Sequence, residues 1–225
     1  MKTLYLECAM GAAGDMLTAA LLELTEDRQA FLDKMNSIGL PGVRVEAEES
    51  VKCGITGTHM KVTVNGAEEE SADAEEHPHE HLHEHDHDHV HDHDHGHPHE
   101  HDGDHEHAHE HGHHHHASAA EIGTLIDSLD VSERVTKDAK AVYARIAEAE
   151  SKVHGRPVTE IHFHEVGTLD AVADVVGVCL LMEVLSPDQV IVSPVHTGSG
   201  HVHCAHGILP VPAPSTSLIL QGIPS

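Results

Sequence analysis

The sequence predicts an α/β fold in which a mixed sheet packs against helices, with an inserted antiparallel hairpin and a long disordered histidine-rich insertion. Short apolar segments typical of strands alternate with longer segments of helical periodicity. Segments 43–51 and 55–64 alternate apolar and polar residues on either side of Cys53-Gly54, which predicts the hairpin. Residues 67–117 have few apolar side chains and cannot offset the entropy of ordering, so they should be disordered without metal.

The other elements follow in chain order. A first strand is predicted over residues 3–8 and is ended by Gly11 and Gly14, and Asp15 stands where a helix N-cap would. Residues 161–165 are expected to form a loop or a strand end. The periodicity predicts a buried strand over 190–192 and helices over 16–24, 27–38, 119–129, 132–154, 170–185 and 214–221.

The length of 225 residues suits one domain or two small ones. Without the polar stretch, roughly 175 residues remain, which is ample for one hydrophobic core. We therefore assign residues 1–66 and 118–225 to a single α/β domain and residues 67–117 to a metal-binding insertion within it.

Composition excludes several classes of function. The formal charge of −27 leaves nothing basic to neutralise phosphates, so we expect no nucleic-acid partner, and it fits a cation. The longest apolar stretch, 171–185, contains Asp174 and Glu183 and is too short for a membrane span. Four widely spaced cysteines without a CxxC motif favour reduced thiols, and the start of the chain lacks signal-peptide features. These features predict a cytoplasmic protein.

The histidine-rich tract, residues 77–116, holds 21 of the 29 histidines, interleaved with Asp and Glu. Imidazole suits borderline transition metals, and alternate residues of an extended chain lie about 6–7 Å apart on one side. With roughly four ligands each, on the order of five ions fit the tract. The alternative is a solvated linker without function. The candidate ligands are His85, His87, His89, His91, His93, His95, His113, His114, His115 and His116.

A second cluster follows the 132–154 helix. His162 and His164 flank a hydrophobic residue, so on extended backbone both imidazoles face one side, and Glu165 adds a carboxylate. Asp170 and Asp174 are spaced i, i+4 on the next helix, where a charge on so apolar a surface needs a partner. The cluster indicates a metal or catalytic site. In the alternative, Asp170 caps the helix and the histidines bond locally.

A third cluster places five potential ligands within eleven residues: His196, His201, His203, Cys204 and His206. Gly198 and Gly200 let the backbone turn and approach a ligand, which is either a metal or a phosphate held by N–H groups. The spacing is not that of a zinc finger. A purely structural loop is the alternative.

The fourth motif is the glycine turn of Gly11 and Gly14, which opens the first helix. Such a turn is a ready anion site, although the Lys-Ser/Thr of a phosphate-binding loop is absent. Asp15 either takes part in this site or caps the helix.

Together these segments resemble the N-terminal part of the LarC family of nickel insertases. The resemblance covers essentially the whole chain, including a histidine-rich insertion at this place. It is carried by Gly11-x-x-Gly14-Asp15-Met16, His162-Phe163-His164-Glu165-Val166-Gly167, Pro194-x-His196-x-Gly198-x-Gly200, Cys204-Ala205-His206-Gly207 and Pro210-Val211-Pro212-Ala213-Pro214.

The resemblance implies a function and a set of residue roles. Family members insert Ni²⁺ into pyridinium-3,5-bisthiocarboxylic acid mononucleotide, forming two Ni–S bonds and one Ni–C bond of the nickel-pincer cofactor of lactate racemase. The reaction belongs to the lyase class and depends on CTP with Mn²⁺ or Mg²⁺. On this basis the tract supplies nickel, which His196 and Cys204 also bind. The expected catalytic residues are Asp15, His162, His164, Glu165 and His206, and those expected to bind the mononucleotide are Gly11, Gly14, Gly198 and Gly200.

The sequence departs from the family in length and at a few positions. Family members are typically longer, with a C-terminal domain associated with CTP binding and oligomerisation, and this chain stops at Ser225. It is either a natural N-terminal product, partnered by a separately encoded C-terminal domain, or a fragment. Glu7 stands where many relatives have Asp, and His201 and His203 are extra in their loop. Whether the chain forms a homo-oligomer stays open.

Two other functions remain open at this point. One is a non-enzymatic nickel storage protein or metallochaperone, whose ordered domain only docks on a partner. The other is a zinc-dependent hydrolase built on the second and third clusters.

Overall fold

A computed structural model describes residues 1–68, 117–163, 165–204 and 207–225, and within these ranges the predicted α/β character is confirmed. The strands are β1 (Thr3–Leu6), β2 (Val43–Lys52), β3 (Ile55–Val64), β4 (Ala117–Ser118), β5 (His162–Phe163), β6 (Gln189–Val192), β7 (His201–Cys204) and β8 (Gly207–Pro210). The helices are α1 (Gly14–Glu23), α2 (Arg28–Met35), α3 (Ala119–Ser128), α4 (Glu133–His154), α5 (Leu169–Leu185) and α6 (Pro214–Ile219). Single 3₁₀ turns cover Val158–Glu160 and Glu165–Gly167.

The core is organised around α5. Val172, Val176 and Leu181 on this helix are fully buried. The helix is apolar on nearly every face, as expected for one covered on several sides, and it packs against both α1 and α4. In turn α4 packs against α3 and α6. No helix within the described ranges is long and apolar enough to cross a membrane.

The predicted hairpin is confirmed. β2 and β3 pair antiparallel from Val43↔Val64 to Lys52↔Ile55. The two turn residues, Cys53 and Gly54, both have positive φ, as the favoured two-residue hairpin turns require. The hairpin contacts α1, α2 and α5.

The prediction of a mixed sheet is wrong for the part of the chain that the structure describes. There the strands form separate pairs: β1 is parallel to β6, and β2–β3, β4–β5 and β7–β8 are antiparallel. The hairpin packs on the helices instead of joining the edge of β1, and β4 and β5 have only two residues each. The pair β1–β6 is therefore the only parallel one among these residues.

The predicted strand at 190–192 is present as part of β6, but it is not buried. Val190, Ile191 and Val192 are 41%, 44% and 48% exposed. An apolar composition predicted burial, yet within the described residues β6 has β1 as its only strand neighbour.

Candidate active site

The loops that follow β1 and β6 are joined at one edge of the parallel pair. Because parallel strands end at the same edge, Leu6 and Val192 are paired there. Beyond them, the Cys8 carbonyl accepts hydrogen bonds from the N–H groups of Gly11 and His196 at 3.1 and 3.0 Å. Ligands of open α/β sheets bind outside the carboxyl ends of the strands, so this edge is the natural candidate site.

Gly11 is held against the β6 loop. Its φ of +91° suits glycine, and a Cβ placed there would lie 3.6 Å from the His196 carbonyl oxygen. The His196 side chain is exposed, so its imidazole is accessible for binding at this edge.

Asp174 reaches across from α5 to the first turn of α1. A Cβ on Gly14 would lie only 2.7 Å from both Cβ and Oδ2 of Asp174. The Asp174 carboxylate also accepts a hydrogen bond from the Asp15 backbone. A carboxylate from α5 thus already occupies part of the anion-binding helix end that the glycine turn predicts.

The Asp15 side chain does not cap α1. The N-cap residue is Ala13, and Asp15 is the second residue of the helix, so the N-cap position predicted for it is wrong. An acidic residue in the first turn still interacts favourably with the positive end of the helix dipole.

The pKa of Asp174 is raised to about 7. Burial is the main cause, because desolvation disfavours the charged carboxylate, and the negative charges of Asp15 and Asp170 add to it. The hydrogen bond from the Asp15 backbone acts in the opposite direction. A group with this pKa can gain or lose a proton near neutral pH, which is typical of functional sites.

Asp170 is held by the start of its own helix. Its Oδ1 accepts a hydrogen bond from the Ala171 N–H at 2.7 Å and another from the Thr168 hydroxyl. The N-cap residue of α5 is Thr168 and Asp170 is the second residue of the helix, so the capping role considered for Asp170 is wrong, and these bonds only hold its carboxylate locally.

His162 and Phe163 lie on opposite faces of β5, as the alternation predicts. Phe163 is 1% exposed, whereas His162 is exposed and pairs with Ser118 of β4. Glu121 on α3 lies close enough for His162 to help lower its pKa, after the larger effect of hydrogen bonds from Ser118. His162 therefore stands at the junction of β4 with α3.

The turn after β5 is fastened by Tyr143 of α4. The Tyr143 hydroxyl donates to the Val166 carbonyl at 3.1 Å, and its ring centroid lies 5.7 Å from that of Phe163. Burial raises the pKa of Tyr143, and the charges of Asp170 and Asp174 raise it further. Tyr143 thus lies between the β5 turn and the α5 carboxylates, a role that its helical spacing alone did not suggest.

Gly198 and Gly200 shape the loop before β7. Their φ angles are +76° and +103°, the Gly200 carbonyl accepts a hydrogen bond from the Val211 N–H at 3.0 Å, and a Cβ on Gly198 would lie 3.6 Å from a Val211 methyl. The conformation of the loop by itself accounts for both glycines. The sequence predicted a loop here and missed the β7–β8 hairpin.

Glu7 and Ser193 are further polar residues at the same edge. The sequence marked Glu7 only as a departure from the family and did not single out Ser193. The Ser193 hydroxyl oxygen accepts from the Cys8 N–H at 2.8 Å, and hydrogen bonding by Ser193 is the largest cause of the lowered pKa of Glu7. Each is the first polar residue after an apolar strand, a signal that could have identified them.

The structure brings some of the predicted site residues together, and others lie outside the residues that it describes. It brings Gly11 beside His196, and Gly14 and Asp15 beside Asp174. Glu165 begins a 3₁₀ turn and Cys204 ends β7. In the described part of the chain, no three His, Cys, Asp or Glu side chains are placed to hold a metal ion. The predicted residues that lie outside the described ranges are His164, His206, His85, His87, His89, His91, His93, His95, His113, His114, His115 and His116.

The fold and these loops define an α/β protein with a polar site at the carboxyl ends of a parallel strand pair. A family model described as nickel insertion protein matches residues 4–225. The chain therefore belongs to the nickel insertion protein family, which is the LarC family that its motifs resemble.

Curated relatives support this assignment. The pyridinium-3,5-bisthiocarboxylic acid mononucleotide nickel insertion protein of Clostridium acetobutylicum is 40% identical over 225 residues, covering 100% of this chain and 50% of the relative. The proteins of the same name from Clostridium kluyveri and Lactiplantibacillus plantarum are 37% and 35% identical, covering 100% and 99% of this chain and 48% and 47% of the relatives. The chain thus spans about half the length of the curated relatives it matches. No solved structure matches it.

Proposed function

We propose that this chain inserts nickel into pyridinium-3,5-bisthiocarboxylic acid mononucleotide to form the nickel-pincer cofactor of lactate racemase. The observation that carries the proposal is the family match over residues 4–225, together with relatives named for this substrate. We place the reaction in the cytoplasm, in keeping with the free thiols of Cys8, Cys53 and Cys179.

The edge beyond β1 and β6 is the proposed place for the mononucleotide. Its phosphate would lie at the start of α1, near Gly11 and Gly14, where N–H groups and the helix dipole favour an anion. The Asp15 N–H is already bonded to Asp174, so the phosphate would use neighbouring N–H groups. Gly198 and Gly200 would line the opposite side.

Nickel is a substrate in this proposal. The histidine-rich tract collects the ion, and His196, exposed at the same edge, receives it together with Cys204 and His206. His162, His164 and Glu165 form the second group that holds or passes it. Imidazole and thiolate both suit Ni²⁺ among the divalent ions.

Asp174 is the proposed proton acceptor. The sulfur-bearing substituents at ring positions 3 and 5 flank ring carbon 4, so a Ni–C bond between them replaces the hydrogen of that carbon. The electron pair of the C–H bond becomes the Ni–C bond, and the proton passes to the carboxylate. The pKa of Asp174, about 7, supports this role because the ionised form that accepts a proton is present at neutral pH.

The CTP and the Mn²⁺ or Mg²⁺ that the family resemblance implies are not assigned to residues. Asp15 and Asp174 supply the carboxylate oxygens that such ions prefer, but no three-ligand group exists among the residues that the structure describes. No step of the proposal therefore depends on them.

The test is a single-turnover assay with the mononucleotide substrate, Ni²⁺, CTP and Mg²⁺, in which the nickel-containing product is detected by mass spectrometry. We expect product with the wild-type chain and at least a tenfold slower rate with Asp174→Asn. The matched control is Asp33→Asn, an exposed carboxylate on α2, which should react at the wild-type rate. An unchanged rate for Asp174→Asn would remove the proton-acceptor role.

The second candidate is a nickel storage protein or metallochaperone, which the density of histidine in the tract favours. It predicts bound nickel but no product under any of these conditions. Product that forms only after a separately produced C-terminal domain is added would instead indicate an enzyme split between two polypeptides.

A further inference from the structure

The parallel pair β1–β6 is incomplete as a sheet. Parallel strands occur almost only in sheets that are covered on both faces, and a typical sheet has more than two strands. Here β6 has β1 as its only strand neighbour among the described residues, and Val190, Ile191 and Val192 are all more than 40% exposed.

The outer edge of β6 offers unpaired backbone groups. The N–H groups of Gln189 and Ser193 donate to the Lys2 and Leu6 carbonyls of the β1 segment. Since alternate residues of a strand point their N–H groups to opposite sides, Ile191 also faces β1, whereas Val190 and Val192 face outward. Within the described ranges no strand lies on that side.

Within its four residues, β6 carries no lysine, proline or bulge to block its outer edge. Natural edge strands are usually blocked by lysine, proline or a bulge. The three residues Val190, Ile191 and Val192 are instead β-branched and uncharged, which is the composition of a strand covered by its neighbours.

Both ends of the chain lie beside β6. The amino group of Met1 lies 3.7 Å from Oδ2 of Asp188, immediately before the strand. The Pro224 carbonyl accepts from the Val195 N–H at 3.0 Å, three residues beyond it. A polypeptide joined to either end would therefore begin close to one end of β6.

We propose that the outer edge of β6 is a docking site for an extended, apolar strand from the half of the family protein that this chain does not span. The curated relatives are about twice as long as the chain, so a further region of similar size exists in them. Strand addition supplies backbone hydrogen bonds for Val190 and Val192 and covers the apolar side chains. The inference is independent of the nickel chemistry.

A second copy of this chain fits the edge less well. Stable interfaces between proteins bury roughly 800 Å² on each partner, far more than an edge of four residues provides. A strand supplied by a tethered or otherwise anchored region needs much less area, because attachment raises its effective concentration.

The test is residue-resolved amide hydrogen exchange on this chain and on the full-length relative from Clostridium acetobutylicum. In this chain, we expect the Val190 and Val192 amides to exchange at least a hundredfold faster than that of Ile191, which is bonded to β1. In the relative, the amides aligned with Val190 and Val192 should exchange at rates within tenfold of the rate of the amide aligned with Ile191. That central amide is the internal control, because it stays paired in both proteins.

Two results would overturn the proposal. One is exchange of the outward amides in the relative as fast as in this chain, which would show that the edge stays open. The other is protection in this chain that grows with protein concentration, which would make the edge an interface between copies.

Discussion

The carboxylate of Asp174 lies against the backbone of Gly14, so close that a methyl group at Gly14 would overlap it at 2.7 Å. This contact fixes the start of α1 on α5 and places a carboxylate with a pKa of about 7 at the carboxyl ends of β1 and β6. Glycine at this position serves close approach between two helices, and its conformation is helical. The contact joins two motifs that are 160 residues apart in the sequence.

Gly14→Ala should destabilise the protein by about 1–3 kcal/mol, because the new methyl meets Cβ of Asp174, which cannot move without shifting α5. The matched control is Gly123→Ala in α3, where the nearest atom to the new methyl is the end of the Lys140 side chain at 3.9 Å. The control should be neutral or stabilising by up to about 1 kcal/mol, since alanine favours helix. Urea denaturation of both variants measures the difference, and equal stabilities would contradict the close contact.

Asp174→Asn should change how stability depends on pH. The pKa of Asp174 is about 7 in the folded protein and near 3.8 when unfolded, so the folded state holds the proton more tightly. In the wild type this contribution is fully present below about pH 4 and is lost as pH rises through about 7. The variant cannot ionise at this position, so from pH 4 to pH 8 it should gain stability relative to the wild type. The two pKa values alone imply about 4 kcal/mol, and screening by water around this partly exposed carboxyl reduces the expected gain to on the order of 1–2 kcal/mol.

The measurement is denaturant unfolding at several pH values, with Asp33→Asn as a control that keeps the wild-type profile. Groups around Asp174 are Asp15, Asp170 and Tyr143, and they remain in the variant. If the stability difference between the wild type and Asp174→Asn stays constant from pH 4 to pH 8, the Asp174 carboxyl is ionised in the folded protein over that whole range.

Local patterns in the sequence predicted most elements but not how they pair. The hairpin was predictable because Cys53-Gly54 and the alternation around it are local signals. The pairing of β6 was not predictable, because nothing in the composition of 190–192 indicates which strands lie beside it. On α4, Val142 is 40% exposed while its neighbour Tyr143 is buried, since an aromatic side chain with one polar atom can enter the core.

The sequence likewise predicted individual residues of the candidate site but not their contacts. The glycine turn and the two aspartates of α5 stood out by spacing, but their contact depends on the packing of α1 against α5, which spacing does not encode. The roles predicted for His164, His206 and the tract histidines stay predictions.

Tyr143→Phe should destabilise the protein by about 1 kcal/mol, because the hydrogen bond to the Val166 carbonyl is lost while the ring keeps its place beside Phe163. Tyr5→Phe is the matched control. The Tyr5 hydroxyl donates a hydrogen bond to Glu7 at 2.9 Å, but the side chain is 56% exposed, so water replaces the partner and the loss should be smaller than that of Tyr143→Phe. Thermal and urea unfolding of the two variants compare these losses, and equal values would show that the Val166 contact adds nothing.

Deleting residues 77–116 tests whether the histidine-rich tract is a nickel reservoir separate from the fold. The deletion ends at His116 because Ala117 and Ser118 form β4, and Ser118 also makes a capping box with Glu121 on α3. We expect unfolding free energy to change by less than about 1 kcal/mol, since lengthening or shortening a loop has a small entropic cost. Nickel bound per chain, measured by equilibrium dialysis at neutral pH, should fall by several ions. A second deletion that also removes residues 117 and 118 should lose about 1 kcal/mol more through the missing cap. Unchanged nickel binding in the first deletion would contradict the reservoir, and a loss of folding in it would show that the tract contributes to the core.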